Sequence, residues 1–333
     1  MFNKLYDKLK NIIKENYKFI LLLIVLFLGL TYKLPFYIEA PGGILDVSTR
    51  VEVQNSKKID GSFNLAYVSE FKATIPTIVV ALLNDNWDIL KKEEVLSNET
   101  EEEIEYRNYL LLEEANQNAI IVGFNKADEY VVVTNRKVNV IYLHEQANTD
   151  LKIGDEIIEV NGNRINSKED LLNFVEKAED KISFKVINDN KEYERYGYKT
   201  NIEGKNIIGI VFAETKDVDT NLDVKFKFKP SESGPSGGFM MALSIYNYLI
   251  EEDITKGLKI VGTGTIDEFG NVGSIGGVEY KMKAAVKNKA DLFFVPFDNY
   301  EEALKAKEEN DLDIKLISIK HIDDAINYLN NLN

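Results

Sequence analysis

Residues 234–241 read Gly-Pro-Ser-Gly-Gly-Phe-Met-Met, and the rest of the chain is read outward from them. The preceding Val224-Lys225-Phe226-Lys227-Phe228 alternates apolar and charged residues, the period of a strand. The apolar run that follows predicts a helix over 237–250. Ser236 therefore stands on a glycine-rich turn at a helix N-terminus. Such a turn leaves a hydroxyl uncovered, and backbone N–H groups there can face a developing oxyanion. The ordinary alternative is an N-cap serine on a common kind of turn. Alone, the stretch leaves both readings open.

Composition narrows the choice of base. The chain has 333 residues, no cysteine, and two histidines, His144 and His321. That removes disulfides, thiolate zinc sites and a cysteine nucleophile. His321 opens an expected last helix over 321–332, where capping is its ordinary role, and His144 follows a strand as a surface residue. A serine nucleophile then needs another base, and a neutral lysine amine is the natural one. Gly276-Gly277-Val278-Glu279-Tyr280-Lys281 leads into a helix expected over 280–289, preceded by Gly262-Thr263-Gly264 and Gly270-Asn271-Val272-Gly273-Ser274-Ile275. Bringing a lysine pKa from about 10.4 to about 7–8 costs roughly 3–4 kcal/mol, so such a site must be desolvated and packed. Phe239, Met240 and Val278 could supply the apolar surroundings. The plain alternative is a solvated helix lysine, as expected for Lys283, Lys287 and Lys289.

Taken together, GPSGG, then TG, then GG-x-x-x-K resemble the Ser–Lys peptidase domain of Lon-type proteases. Carried over by position, the resemblance makes Ser236 the nucleophile and Lys281 its base. Thr263 would orient the lysine by a hydrogen bond, and Gly234, Pro235 and Gly237 would shape the serine turn and its oxyanion-binding amides. It implies an α+β fold, a serine-type endopeptidase and no cofactor. Lon-type domains often form rings, so it also implies a homo-oligomer. The chain departs from the pattern twice. It carries no G-x-x-x-x-G-K-[ST], so ATP-driven unfolding is not expected. Ser233 stands three positions before the serine, where many members have an acid. Strands around 258–262, 292–295 and 313–318 and a helix over 300–308 complete a peptidase region at 201–333.

Upstream, Leu151-Lys152-Ile153-Gly154-Asp155-Glu156-Ile157-Ile158-Glu159-Val160-Asn161-Gly162 resembles the PDZ domain, a small β-barrel-like fold that binds peptides by adding them as a strand. A strand at 138–142, a helix beginning near Ser167 with Leu171, Leu172 and Val175 on one face, a strand at 182–187 and an Asn188-Asp189-Asn190 turn fit a unit over 119–200. Residues 37–118 then supply the opening part of the peptidase region, with the PDZ unit inserted. Ile38 to Val68 reads as strands with turns at Gly42-Gly43 and Asp60-Gly61. Helices are expected over 77–90 and 110–119, and the acidic stretch 93–105 reads as a solvated helix face.

At the N-terminus, Phe19 to Leu30 reads FILLLIVLFLGL, and the apolar run reaches Tyr32. This is shorter than the roughly 20 residues a spanning helix prefers. Lys33 could snorkel while Leu34 to Ile38 prolong the apolar character. Lys4, Lys8, Lys10, Lys14 and Lys18 outnumber Asp7 and Glu15, which predicts a single-pass anchor in 1–36, with a cytoplasmic N-terminus and everything after it outside. No A-x-A site follows, which argues against a cleaved signal. A net charge of −15 argues against a nucleic-acid partner. The whole is similar to membrane-bound PDZ-containing Lon-like proteases, and the expected partners are a peptide or unfolded protein and the membrane. The competing class is a membrane-tethered PDZ peptide-binding protein with an idle peptidase-like domain. The joint presence of Ser236, Thr263 and Lys281 argues against it.

Overall fold

The computed structural model describes residues 2–84, 86–92, 95 and 99–332. Glu93 and Glu94 of the acidic stretch, and the side chains of Lys4 and Lys8, lie outside the described residues. The fold is mixed α+β and forms two compact units: Met1–Pro41 with Val68–Ser97, and Gly42–Tyr67 with Asn98–Asn333.

The first unit opens with helix α1, Phe2–Thr31. Phe19, Leu21, Leu22, Phe27 and Leu28 on it are exposed. Among the described residues no helix is long and apolar enough to cross a membrane. Leu34 to Ile38 do not prolong α1. Pro35 disfavours helical backbone at Leu34, and strand β1, Phe36–Asp46, begins directly after it with Tyr37 and Ile38 buried. Helix α2, Ile75–Leu82, is shorter than the expected 77–90. Asn84 turns the chain through its side chain, which accepts the Asn86 N–H at 3.1 Å. Trp87 packs edge-on to Phe71 (5.8 Å), and strand β3, Asp88–Lys91, pairs antiparallel with Phe36–Glu39. Strand pairing and burial of the indole thus prevail over local helix preference.

Strand β2, Ser62–Lys72, neighbours β1, and each of these two strands has residues in both units. The expected turn at Gly42-Gly43 is absent, and β1 runs straight through it. A Cβ on Gly42 would lie 2.5 Å from both the ring and the carbonyl oxygen of Tyr67 on β2, so these glycines serve close approach of two strands. Beyond β2 lie three parallel strands, β9 (Lys259–Gly262), β10 (Leu292–Pro296) and β11 (Lys315–Ile319).

Successive strand side chains point to opposite faces, and this divides the core. Phe63, Ile260 and Phe294 pack with helices α3 (Glu101–Lys126), α5 (Gly238–Leu249) and α8 (Ile322–Asn330). Ala66, Val261, Phe293 and Val295 pack with α6 (Val278–Lys287) and α7 (Tyr300–Glu309). Of the acidic stretch, Glu101 to Glu103 form the first turn of α3, where carboxylates oppose the positive end of the helix. Glu103 also closes a capping box with Thr100.

A second sheet has its own core of Val138, Val140, Ile157, Phe184 and Val186. Its main strands are β4 (Val131–Leu143), β5 (Glu156–Val160), β6 (Lys181–Asn188), β7 (Lys191–Tyr198) and β8 (Ile210–Thr220), in the order β8-β4-β5-β6-β7. Helix α4, Lys168–Lys177, covers that core through Leu171, whereas Leu172, expected on the same face, is exposed. Gly154, Asn161, Gly162, Asp189 and Asn190 all have positive φ, where the sequence placed turns. Residue 119 falls inside α3, and β8, which pairs along the length of β4, lies beyond residue 200.

Candidate active site

The serine turn is held from both sides. On its upstream side Arg50 grips Glu232 with two hydrogen bonds, Nε to Oε2 and Nη2 to Oε1, each 2.6 Å. Glu232 also accepts the Lys229 N–H at 3.1 Å. The Arg50 hydrogen bond and charge hold the Glu232 carboxyl below its ordinary range. Gly234 then takes φ +95°, a left-handed conformation that requires glycine. The Gly238 N–H donates to the Pro235 carbonyl at 3.1 Å and closes the turn into α5. Gly237 backs against Leu65, 3.1 Å from where a Cβ would sit.

Downstream, the turn is joined to the end of β9. The Gly264 N–H donates to the Ser236 carbonyl at 2.8 Å, and the Thr263 hydroxyl donates to the same oxygen at 3.2 Å. The Phe239 N–H returns a bond to the Gly264 carbonyl at 3.1 Å. Thr263 is fully buried, and its N–H donates to Phe294 on β10. The turn thus sits at the carboxyl end of a parallel strand, where open α/β sheets place their ligands. Ser236 itself is half-buried.

Lys281 arrives on α6. Gly277 starts that helix at φ +66°, and its carbonyl accepts the Lys281 N–H. Val278, Lys281, Met282 and Ala285 follow helical spacing and are all buried, Lys281 at 4% exposure. Lys287 and Lys289 are exposed as expected, while Lys283 is half-buried and pairs with Glu279 at 2.6 Å. Phe239, Met240 and Val278 are fully buried. The loop before α6 is clamped by Asn299, whose side chain accepts the Ile275 N–H (2.9 Å) and donates to the Ile275 carbonyl (3.0 Å).

His321 caps α8. Its Nδ1 accepts the Asp323 N–H at 3.2 Å, and its Nε2 lies 2.9 Å from the Phe269 carbonyl. Both ring nitrogens are engaged in structure. His144 likewise accepts the Gln146 N–H. Among the described residues no group of three or more His, Asp or Glu could hold a metal ion. Sequence reasoning missed the Arg50–Glu232 clamp. Its partners are 182 positions apart, and no local pattern announces them.

Residues 213–331, which include Ser236, Thr263 and Lys281, match the family model of the Lon protease (S16) C-terminal proteolytic domain. This segment is similar to Lon proteolytic domains. The Lon protease of Aster yellows witches'-broom phytoplasma is 30% identical over 127 residues, 38% of this chain and 15% of that protein. The Lon protease of Chlamydia pneumoniae is 34% identical over 98 residues, 28% of this chain and 11% of that protein. The chain therefore spans only a small part of the length of these relatives. The second domain of the listeria protein Lin2157 is 24% identical over 26% of this chain and 89% of that one, with a TM-score of 0.21, below the level that implies a shared fold. The likeness to Lon proteases supports a serine-type peptidase hydrolase.

Proposed function

We propose that this chain is an ATP-independent Lon-like serine endopeptidase that works through a Ser236–Lys281 dyad. The observation that carries this reading is the burial of Lys281 on an otherwise apolar helix face, while Ser236 stands on a pinned turn at the end of β9. Removing an ammonium from water favours its neutral form, which is what a base requires. In the reaction Ser236 Oγ bonds to the scissile carbonyl carbon as its proton passes to Lys281 Nζ. The lysine then protonates the leaving amine as the C–N bond breaks. Water attacks the resulting ester, Lys281 takes its proton, and the serine is regenerated with release of a carboxylic acid. Backbone amides of the 234–238 turn stabilise the oxyanion. Thr263, bonded to the Ser236 carbonyl, holds the turn in place.

The small sheet domain around β4–β8 acts in this proposal as a PDZ-like module that presents or gates peptide substrates. Helix α1, though not long and apolar enough to span, holds the chain at a membrane in this proposal through its exposed apolar side chains and basic flank. In this proposal the substrates are short or unfolded polypeptides, which need no unfolding step.

The test is hydrolysis of casein by the full chain in detergent, without ATP, for wild type, Ser236→Ala and Lys281→Ala. Wild-type activity that rises with pH and vanishes in both variants supports the dyad. Cleavage that survives both substitutions removes it. Peptide binding without any cleavage favours an idle peptidase-like domain serving the PDZ-like module.

A further inference from the structure

One face of α3 carries Glu105, Tyr109, Leu112, Glu113 and Asn116 at helical spacing. These residues line a cavity of about 620 Å³. Phe226, Phe228 and residues 229–233 form its other wall, the segment that runs directly into the serine turn. The volume falls within the range of ligand pockets, about 300–1,000 Å³.

Three features define what would fill it. Asn116 is only 5% exposed, and its Oδ1 has no hydrogen-bond partner. A buried acceptor without a donor is costly, and a donor on a bound molecule would relieve that cost. Second, the charges around the cavity are unequal. Glu232 is matched by Arg50, which leaves the carboxylates of Glu105 and Glu113 against Lys229. Burial raises the Glu113 carboxyl above its ordinary range, so a nearby cation would favour its ionised form. Third, the walls are aromatic. Phe226 and Phe228 stack at 6.4 Å between centroids, and Tyr109 lines the helix side. Aromatic faces accept both the aliphatic stem and the charged head of a basic side chain.

We infer that this cavity is the subsite for a basic side chain, Lys or Arg, of a polypeptide laid along residues 226–233 toward Ser236. The inference rests on the serine-peptidase reading for its catalytic consequence, but not for binding. Glu113 supplies charge, Asn116 accepts a hydrogen bond, and Phe228 with Tyr109 hold the stem. These are specificity-determining residues, separate from the dyad.

The experiment uses the full chain in detergent and one fluorogenic peptide scaffold carrying Arg, Leu or Glu at each position near the scissile bond. The Arg peptide is expected to show kcat/KM at least tenfold above the Leu and Glu peptides at one position. Glu113→Gln and Asn116→Leu are each expected to cut the Arg-to-Leu ratio by about tenfold, mainly through KM, with thermal unfolding confirming that both fold. A ratio that both variants leave unchanged overturns the subsite. The same peptides are also titrated against Ser236→Ala by fluorescence anisotropy. Arg-selective binding that Glu113→Gln abolishes upholds the subsite even where no peptide is cleaved. Unselective binding refutes it and leaves the dyad to be judged by casein hydrolysis alone.

Discussion

Two regions of the molecule each bury a lysine to nearly the same extent, Lys281 at 4% and Lys216 at 5% exposure, in different surroundings. Lys216 on β8 lies 3.0 Å from Glu214 and donates to the Asn118 side-chain Oδ1 at 2.9 Å. Arg136 reaches the same Glu214 at 2.7 Å and continues to Glu268 at 2.6 Å, while the Lys168 N–H donates to Glu214 at 2.7 Å. Lys281 shares its buried helix face with Val278, Met282 and Ala285. Through Glu214, Asn118 and Arg136 the Lys216 network ties β8 to α3 and β4. In the proposed mechanism Lys281 is the base for Ser236, a role that withdrawal of an ammonium from water favours. On that proposal two lysines of nearly equal burial do different work, one holding elements together and one serving the chemistry.

Exchanging each lysine for methionine tests this contrast with the largest effects. Lys281→Met is expected to lower casein hydrolysis by about a thousandfold or more, the scale of losing a base that acts together with its nucleophile. Its stability should stay within about 1 kcal/mol of wild type, because an apolar replacement of a buried charge is often neutral. Lys216→Met should behave oppositely, losing about 3 kcal/mol because Glu214 is left with fewer partners, while activity per folded molecule persists. Thermal unfolding and casein turnover on the same samples read both. A stable but inactive Lys216→Met would break the comparison.

The two glycine pairs give a smaller effect of the same kind. At Gly42 an added Cβ would meet Tyr67 at 2.5 Å, including its backbone oxygen, so Gly42→Ala should destabilise by about 1–3 kcal/mol. Gly276 has nothing within 4 Å of such a Cβ and no positive φ, so Gly276→Ala should fall within about 0.5 kcal/mol of wild type. Equal losses at both positions would mean that β1 and β2 can separate without cost.

These pairs also show what the sequence could disclose. Features written within a few residues were legible. The turns at Gly154, Asn161-Gly162 and Asp189-Asn190 follow from local backbone preference, and the helices of 238–330 from apolar spacing. For Lys281 the sequence left a solvated helix lysine as the alternative, and its buried place beside Val278, Met282 and Ala285 is read from the structure. Features that depend on a distant partner were not. Gly42-Gly43 carries the composition of a turn, and only Tyr67 from the next strand makes it a close approach. Helix propensity after Leu82 gave way to pairing with Phe36–Glu39, and the Arg50–Glu232 clamp spans 182 positions. The cavity wall on α3 was hidden for the same reason: its polar face reads as solvated until residues 226–233 fold over it.

The smallest predicted effect is an acid dependence that sharpens the first contrast. Burial pushes the Glu214 carboxyl upward, but the Lys168 N–H and the charges of Lys216 and Arg136 outweigh it, and the carboxyl ends below its ordinary range. A carboxyl whose folded pKa is depressed contributes stability that is fully present above its unfolded value, about 4.3, and is lost as pH falls through the folded value. Glu232 beside Arg50 acts in the same direction. Glu114, raised chiefly by burial, acts in the opposite one: its destabilising charge is relieved as pH falls through its raised folded value, before the other two begin to protonate. The thermal midpoint should therefore hold or rise slightly as pH falls from about 7 to about 5 with respect to these groups, then fall below about pH 4. Glu214→Gln removes the titrating group, so the gap between it and wild type should narrow as the acid limb is entered. A gap that stays constant down to about pH 3 would mean that the charge network around Lys216 contributes no net electrostatic stability. The two buried lysines would then differ in chemistry alone, not in what they do for the fold.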